Sequence, residues 1–269
     1  MTVLGRALRA EIAKITSLPT LSIAFVLALL PAGITAIATA QGRAFISRGE
    51  MSVEEFLVGL GVEQLILLGM APMVIGAVVT HGEFIRPKGN ATGATPWQMS
   101  ALTIPRRWPV ILSKVVVTVI STMTALGIAF ASTAGVIYLM TSDLAPMEKI
   151  WPTPTPLFFG LALQWVMWSC LSLSLTLICR SATIPLVILI VNSSLVSFSL
   201  LLARATDLVK FLPDVASYSL IVPRIVTDNP LLPPTFTALT PEPAAAVMVA
   251  WAVIPLLLAG AITCVREGR

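Results

Sequence analysis

Six stretches of this chain contain no charged side chain, and each is long enough to cross a bilayer. They run between Lys14 and Arg43, Glu63 and Glu83, Lys114 and Asp143, Lys149 and Arg180, Arg180 and Arg204, and Glu242 and Arg266. A helix rises about 1.5 Å per residue, so roughly twenty residues suffice to span the hydrocarbon core. The spacing predicts spans at approximately 18–40, 64–81, 110–141, 156–179, 182–203 and 243–265. Composition points the same way. Charged residues make up 11% and hydrophobic residues 57%, with a mean hydropathy of +0.93. A soluble domain carries roughly a quarter charged residues, so lipid must be the solvent for much of this surface. The expected fold is all-α, a polytopic membrane protein with six transmembrane helices in a single domain over residues 1–269.

Lysine and arginine set the expected orientation. With the N-terminus inside, the inner segments hold Arg6, Arg9, Lys14, Arg86, Lys88, Arg106, Arg107, Lys114, Arg180, Arg266 and Arg269. The outer segments hold only Arg43, Arg48, Lys149, Arg204, Lys210 and Arg224. Eleven against six, with an even number of spans, puts both termini in the cytoplasm of a cell (plasma) membrane protein. The first span is preceded by basic residues and carries Ala38-Thr39-Ala40, as a signal peptide would. Its apolar stretch is longer than a signal h-region, so it is read as a retained span.

Three connecting features accompany the spans. Leu4, Leu8, Ile12 and Ile15 fall at helical spacing opposite Arg6 and Arg9, which predicts an N-terminal amphipathic helix in the membrane interface. The inner loop from Gly82 to Pro109 is long. Within it Thr95-Pro96 reads as an N-cap and first helical residue, opening a short helix Pro96–Ile104 that presents Trp97, Ala101 and Leu102. The outer loop from Arg204 to Glu242 is apolar and rich in proline, so short helices in the outer leaflet are expected before the last span.

Catalytic chemistry finds little to work with. The sequence lacks GxxxxGK[ST], HExxH and GxSxG. His81 is the sole histidine, and Cys170, Cys179 and Cys264 form no metal-ligand spacing, so neither a catalytic residue nor a metal site is expected. The spans are nearly free of ionisable groups, which argues against a proton- or ion-driven transporter. Their polar groups are weak: Gln164, Asn192, Ser193, Ser194 and Ser197. Such groups ordinarily hydrogen-bond between helices. The alternative is a cavity wall of Asn192, Ser193 and Ser197 with adaptable apolar contacts from Met70, Met73 and Phe198.

Several short segments resemble the ABC-2 type transporter permeases of actinobacteria. Ala7-Leu8-Arg9-Ala10-Glu11-Ile12-Ala13-Lys14-Ile15-Thr16-Ser17 is similar to their basic N-terminal helix. Gly82-Glu83-Phe84 looks like their Gly/Ser-Glu-Tyr motif after the second span. Trp97-Gln98-Met99-Ser100-Ala101-Leu102-Thr103-Ile104-Pro105-Arg106-Arg107, followed by Lys114, is similar to a Gln-Ile-x-x-x-Leu-x-x-Val-Pro-Arg-Arg segment and its lysine. Leu212-Pro213-Asp214 and Arg266-Glu267 match two further short motifs. The resemblance implies the permease subunit of an ATP-driven exporter of amphipathic, drug-like or peptide cargo. It implies a second permease, identical or related, and two copies of an ATP-binding subunit that holds ATP and Mg; the chain itself needs no cofactor. The loop helix becomes a cytoplasmic coupling helix, with Glu83, Phe84, Trp97, Ala101, Leu102, Arg106 and Arg107 as the coupling residues. Membrane lipid is the other partner, and no nucleic acid is expected. Two other readings stay open: an immunity or sensor subunit that sequesters a peptide or lipid without pumping, and an intramembrane lipid-modifying enzyme.

Overall fold

The computed structural model describes residues 3–16, 19–85, 96–97, 108–151, 153–193, 199, 202, 206–222 and 237–267. The chain is all-helical among the described residues. In order these are α1 (Val3–Thr16), α2 (Pro19–Leu27), α3 (Leu30–Ser47), α4 (Val53–Leu57), α5 (Val62–Leu67), α6 (Met70–His81), α7 (Trp108–Thr141), α8 (Met147–Ile150), α9 (Pro154–Cys179) and α10 (Thr183–Ser193). A short 3-10 helix, Asp207–Phe211, then α11 (Pro213–Ile221) and α12 (Pro241–Glu267) complete the chain.

Proline places many of the helix starts. Pro19, Pro154, Pro213 and Pro241 are first residues of α2, α9, α11 and α12, and Pro31, Pro72 and Pro109 lie in the first turns of α3, α6 and α7. In that position proline loses no hydrogen bond, and its ring excludes a continuing helix from upstream. Thus Pro31 ends α2 at Leu27, and Pro72 ends α5 at Leu67.

Five helical stretches among the described residues are long and apolar enough to cross a membrane: Thr20–Ser47, Val53–His81, Trp108–Thr141, Pro154–Cys179 and Pro241–Arg266. The chain therefore has the build of a multi-pass membrane protein. Of the expected span at 182–203, the eleven residues of α10 are described as a helix, too short to cross alone. Ser199 and Leu202 are helical, and the remainder lies outside the described residues. The first two spans extend beyond their expected bounds of 18–40 and 64–81. Arg43 lies on α3 without ending it, and its guanidinium reaches across to Asp143, just past the end of α7. The second stretch begins at Val53, ahead of Glu63, and is broken into α4, α5 and α6.

The breaks have local causes. Gly59 and Gly61 take φ of 73° and 81°, a region open to glycine and costly for other residues. A Cβ at Gly61 would come within 2.7 Å of Ile137 and 2.9 Å of Thr133, so the site also demands a missing side chain. Carbonyls along these segments find side-chain donors. Trp151 donates to the Leu60 carbonyl at 2.9 Å, Trp165 to Leu65 at 3.3 Å, and Gln164 to Ile66 at 3.5 Å. Irregular backbone at membrane depth is tolerated where protein groups satisfy it in this way.

α9 is the hub. Its most apolar window is 78% buried, against 22% for α12 and 28% for α2–α3. It packs against α6, α7 and α12. Lipid tails are as apolar as leucine, so close backbone approach, not water exclusion, holds such helices together. At the α6–α9 crossing a Cβ on Gly76 would collide with the Ser169 carbonyl, and Ser172 Oγ donates to the Met73 carbonyl at 2.6 Å.

The outer-loop expectation corresponds to the 3-10 helix and α11, both packed beside α12 or its neighbours. Residues 223–236 of that loop lie outside the described residues. Of the expected helix Pro96–Ile104, only Pro96 and Trp97 are described, both helical. α1 is present, but it docks through Ala7 and Glu11, which are buried, while Ile12 is exposed. Its face toward the protein is therefore one residue away from the predicted apolar stripe.

Candidate functional site

Four charged side chains meet where α1, the end of α6 and the start of α7 come together. Lys114, six residues into α7, is 0% exposed. Its ammonium donates to Glu11 Oε1 at 2.8 Å, to Glu83 Oε1 at 3.0 Å and to the Val79 carbonyl at 3.5 Å. An ammonium has three protons, so each finds an acceptor. Lys14 forms a second ion pair with Glu83 Oε1. Two cations and two anions bring the formal charge of the cluster to zero, which makes its burial tolerable.

Local backbone geometry delivers Glu83. α6 ends at His81, and the Glu83 and Phe84 amides turn back to the carbonyls of Thr80 and His81 at 3.1 and 2.9 Å. This curl aims the carboxylate inward. Burial by itself would raise the Glu83 carboxyl. The charge of Lys114, then the bond and charge of Lys14, outweigh it and hold the group below its ordinary value of 4.5.

Trp97 closes the next layer. Its amide donates to the Glu83 carbonyl at 3.2 Å, so the loop returns to the end of α6. The indole is 3% exposed and packs with Val110 and Ile111 of α7, Leu173 and Leu177 of α9, and Ala259 of α12. Phe84 lies 5.8 Å from it, centroid to centroid, and the Arg180 guanidinium sits 6.0 Å from the Phe84 ring. Arg266, near the end of α12, donates to the Ile178 carbonyl at 3.0 Å. The ends of five elements are thereby knitted together at one end of the bundle.

Of the expected coupling residues, Glu83, Phe84 and Trp97 are brought together. Trp97 faces into the chain, where sequence spacing had it presented outward. Ala101, Leu102, Arg106 and Arg107 lie outside the described residues. The expected cavity residues do not assemble in the same way. Met73 is fully buried with Met167, Trp168 and Leu189, as an ordinary packing residue, while Met70 and Asn192 are half-buried. The side chain of Ser193, and all of Ser197 and Phe198, lie outside the described residues. A cavity of about 320 Å³ beside Gly59, Trp151 and Ile221 and a groove of about 370 Å³ along α12 are lined by none of Met70, Met73 and Asn192. Cys170, Cys179 and Cys264 are free thiols, and no cluster of His, Cys, Asp and Glu fit for a metal occurs among the described residues.

Sequence reasoning placed Glu11, Lys14 and Lys114 in segments that resemble the permease motifs, without pairing them with one another or with Glu83. A signal for their role was present. The segments read as inner hold only three acidic residues, Glu11, Glu83 and Glu267, and Lys114 is the last charge before a run of 28 uncharged residues. A lysine so far into an apolar helix needs an anion, and few anions were on offer.

A comparison with protein-family models found no match to this chain, and a comparison with curated proteins found no significant match.

Proposed function

We propose that this chain is the permease subunit of an ATP-driven ABC-2 type exporter, moving an amphipathic, drug-like or peptide cargo across the cell membrane. In this reading it has six spans, with the Lys114 end and both termini in the cytoplasm. It works as a pair with a second permease, and two copies of an ATP-binding subunit supply ATP and Mg.

One observation carries the reading. Glu11, Lys14, Glu83 and Lys114 come from three separate segments that resemble the permease motifs, and they converge on a single ion cluster. Residues 103 positions apart in the chain pair directly. That convergence gives the motifs a shared physical task. A loop can pass on a push only if its foot is rigid, and here the foot of the 82–109 loop is tied by charge to α1 and α7 and by Trp97 to α9 and α12. Trp97 thus serves as the internal anchor. Contact with the ATP-binding subunit falls to Ala101, Leu102, Arg106 and Arg107.

Copurification in mild detergent tests the reading. An ATP-binding protein is expected to come down with this chain, and Glu83→Gln is expected to leave the complex assembled while lowering transport per ATP hydrolysed. A chain that copurifies with a peptide and no ATPase overturns the pump in favour of a sequestering subunit. If an ATPase associates but Glu83→Gln transports normally, the permease stands and the coupling role of the cluster falls.

A further inference from the structure

The groove along α12 is apolar and runs over the middle of that helix, ending one residue before the Ala259 that packs on Trp97. Val247, Ala250, Trp251, Ile254, Pro255 and Leu258 form its floor, and Phe211 of the 3-10 helix forms a wall. Trp251 Nε1 donates to the Phe211 carbonyl at 2.8 Å, which fixes wall to floor. From Val247 to Leu258 the floor rises about 16 Å, at 1.5 Å per residue, close to the roughly 15 Å of one leaflet's hydrocarbon. α12 is the least buried of the five long helices, so the groove opens on the outside of the bundle.

The rim is charged. Lys210, the neighbour of Phe211, holds its ammonium 5.5 Å from the Phe211 ring centroid. No carboxylate lies within ion-pair distance of it among the described residues. A cation over an aromatic ring beside an apolar trough is complementary to a molecule with an anionic head and a long hydrocarbon tail.

We propose that this groove is a binding site for an anionic phospholipid. One acyl chain lies along Val247, Trp251, Ile254 and Leu258, and the phosphate pairs with Lys210. A neutral phospholipid fills the trough equally well but gives Lys210 no net counter-charge.

The chain reconstituted in nanodiscs with equal phosphatidylglycerol and phosphatidylcholine, then released into native mass spectrometry, provides the test. Retained phosphatidylglycerol is expected to exceed phosphatidylcholine by roughly fivefold, the weight of one basic residue at a membrane surface. Lys210→Gln should equalise the two without reducing total lipid, and Ala250→Trp should reduce both by filling the trough. Should Ala250→Trp fail to fold, brominated phosphatidylglycerol replaces it: quenching should fall in Trp251→Phe relative to the parent. Equal retention of the two lipids by the parent chain overturns the proposal, as does a preference that survives Lys210→Gln. Disulfide cross-linking of two copies through Ala250→Cys also overturns it, since the groove would then be covered by a second chain.

Discussion

The two ends of the bundle each carry ion pairs, and the better-shaped pair is the one expected to matter less. At one end Arg43 meets Asp143 in a bidentate fork, with both N–H···O distances at 2.7 Å and a third bond to the Met140 carbonyl at 2.7 Å. Its side chains remain 40% and 57% exposed. At the other end the Lys114 bonds are longer, but that lysine is wholly enclosed. Water and salt screen the first pair, so either partner alone is comfortable. Nothing screens the second, and a partner left behind keeps its charge in a dry place. Geometry describes how well a pair fits, whereas burial sets what its loss does.

The largest effect should follow Lys114→Met, which strands Glu11 and half-strands Glu83. A loss of about 3–5 kcal/mol is expected, read as a fall in thermal unfolding temperature in detergent. Adding Glu11→Gln and Glu83→Gln to that variant should restore much of the stability, since an uncharged core is tolerated where a broken pair is not. A triple variant no better than the single one would show that the cluster stabilises by attraction and that the comparison is drawn wrongly.

Acidity should have a smaller and conditional effect. The Glu83 carboxyl is depressed, so its contribution is complete above the ordinary value of 4.5 and is lost as pH falls through the depressed one. Thermal stability should therefore show no step from this group between about pH 6 and 8, and a decline only below the ordinary carboxylate range. In Lys114→Met the decline should begin at higher pH, because burial then acts against fewer positive neighbours. Identical pH profiles for the two proteins would disconnect Glu83 from Lys114.

The smallest effect belongs to Arg43→Ala. Its unfolding temperature should stay close to that of the parent and converge fully with it in high salt. A marked loss that persists in high salt would make the two ends equivalent and remove the distinction drawn between them.

Much of this architecture is written in uncharged length and in proline. The third, fourth and last spans begin within two residues of their expected starts, because Trp108-Pro109, Pro154 and Pro241 mark them. The second span was harder to read. A search bounded by charge stops at Glu63, yet Glu54, Glu55 and Glu63 are exposed and interrupt nothing, while Gly59 and Gly61 break the helix from within. The candidate site divides in the same manner. Glu83, Trp97, Glu11 and Lys114 were each legible as motif residues. Their meeting depends on how helices far apart in the chain pack, and no local pattern encodes that. The orientation of Trp97 was likewise hidden, because a short helix with one aromatic residue does not declare which neighbour it will face.

The segmented second span has a mechanical consequence. A continuous helix resists twisting because every turn is braced to the next by its own backbone. Here three stiff rods are joined by glycine turns, and the bracing at the joints comes from the indoles of Trp151 and Trp165 and the amide of Gln164. The lower rod is seated against α9 at Gly76, whereas the upper two add three side-chain bonds to their apolar packing in the core. The joint is therefore stiffened from outside itself: removing one donor, as in Trp151→Phe, would leave the Leu60 carbonyl unpaired without touching a bond inside any of the three rods.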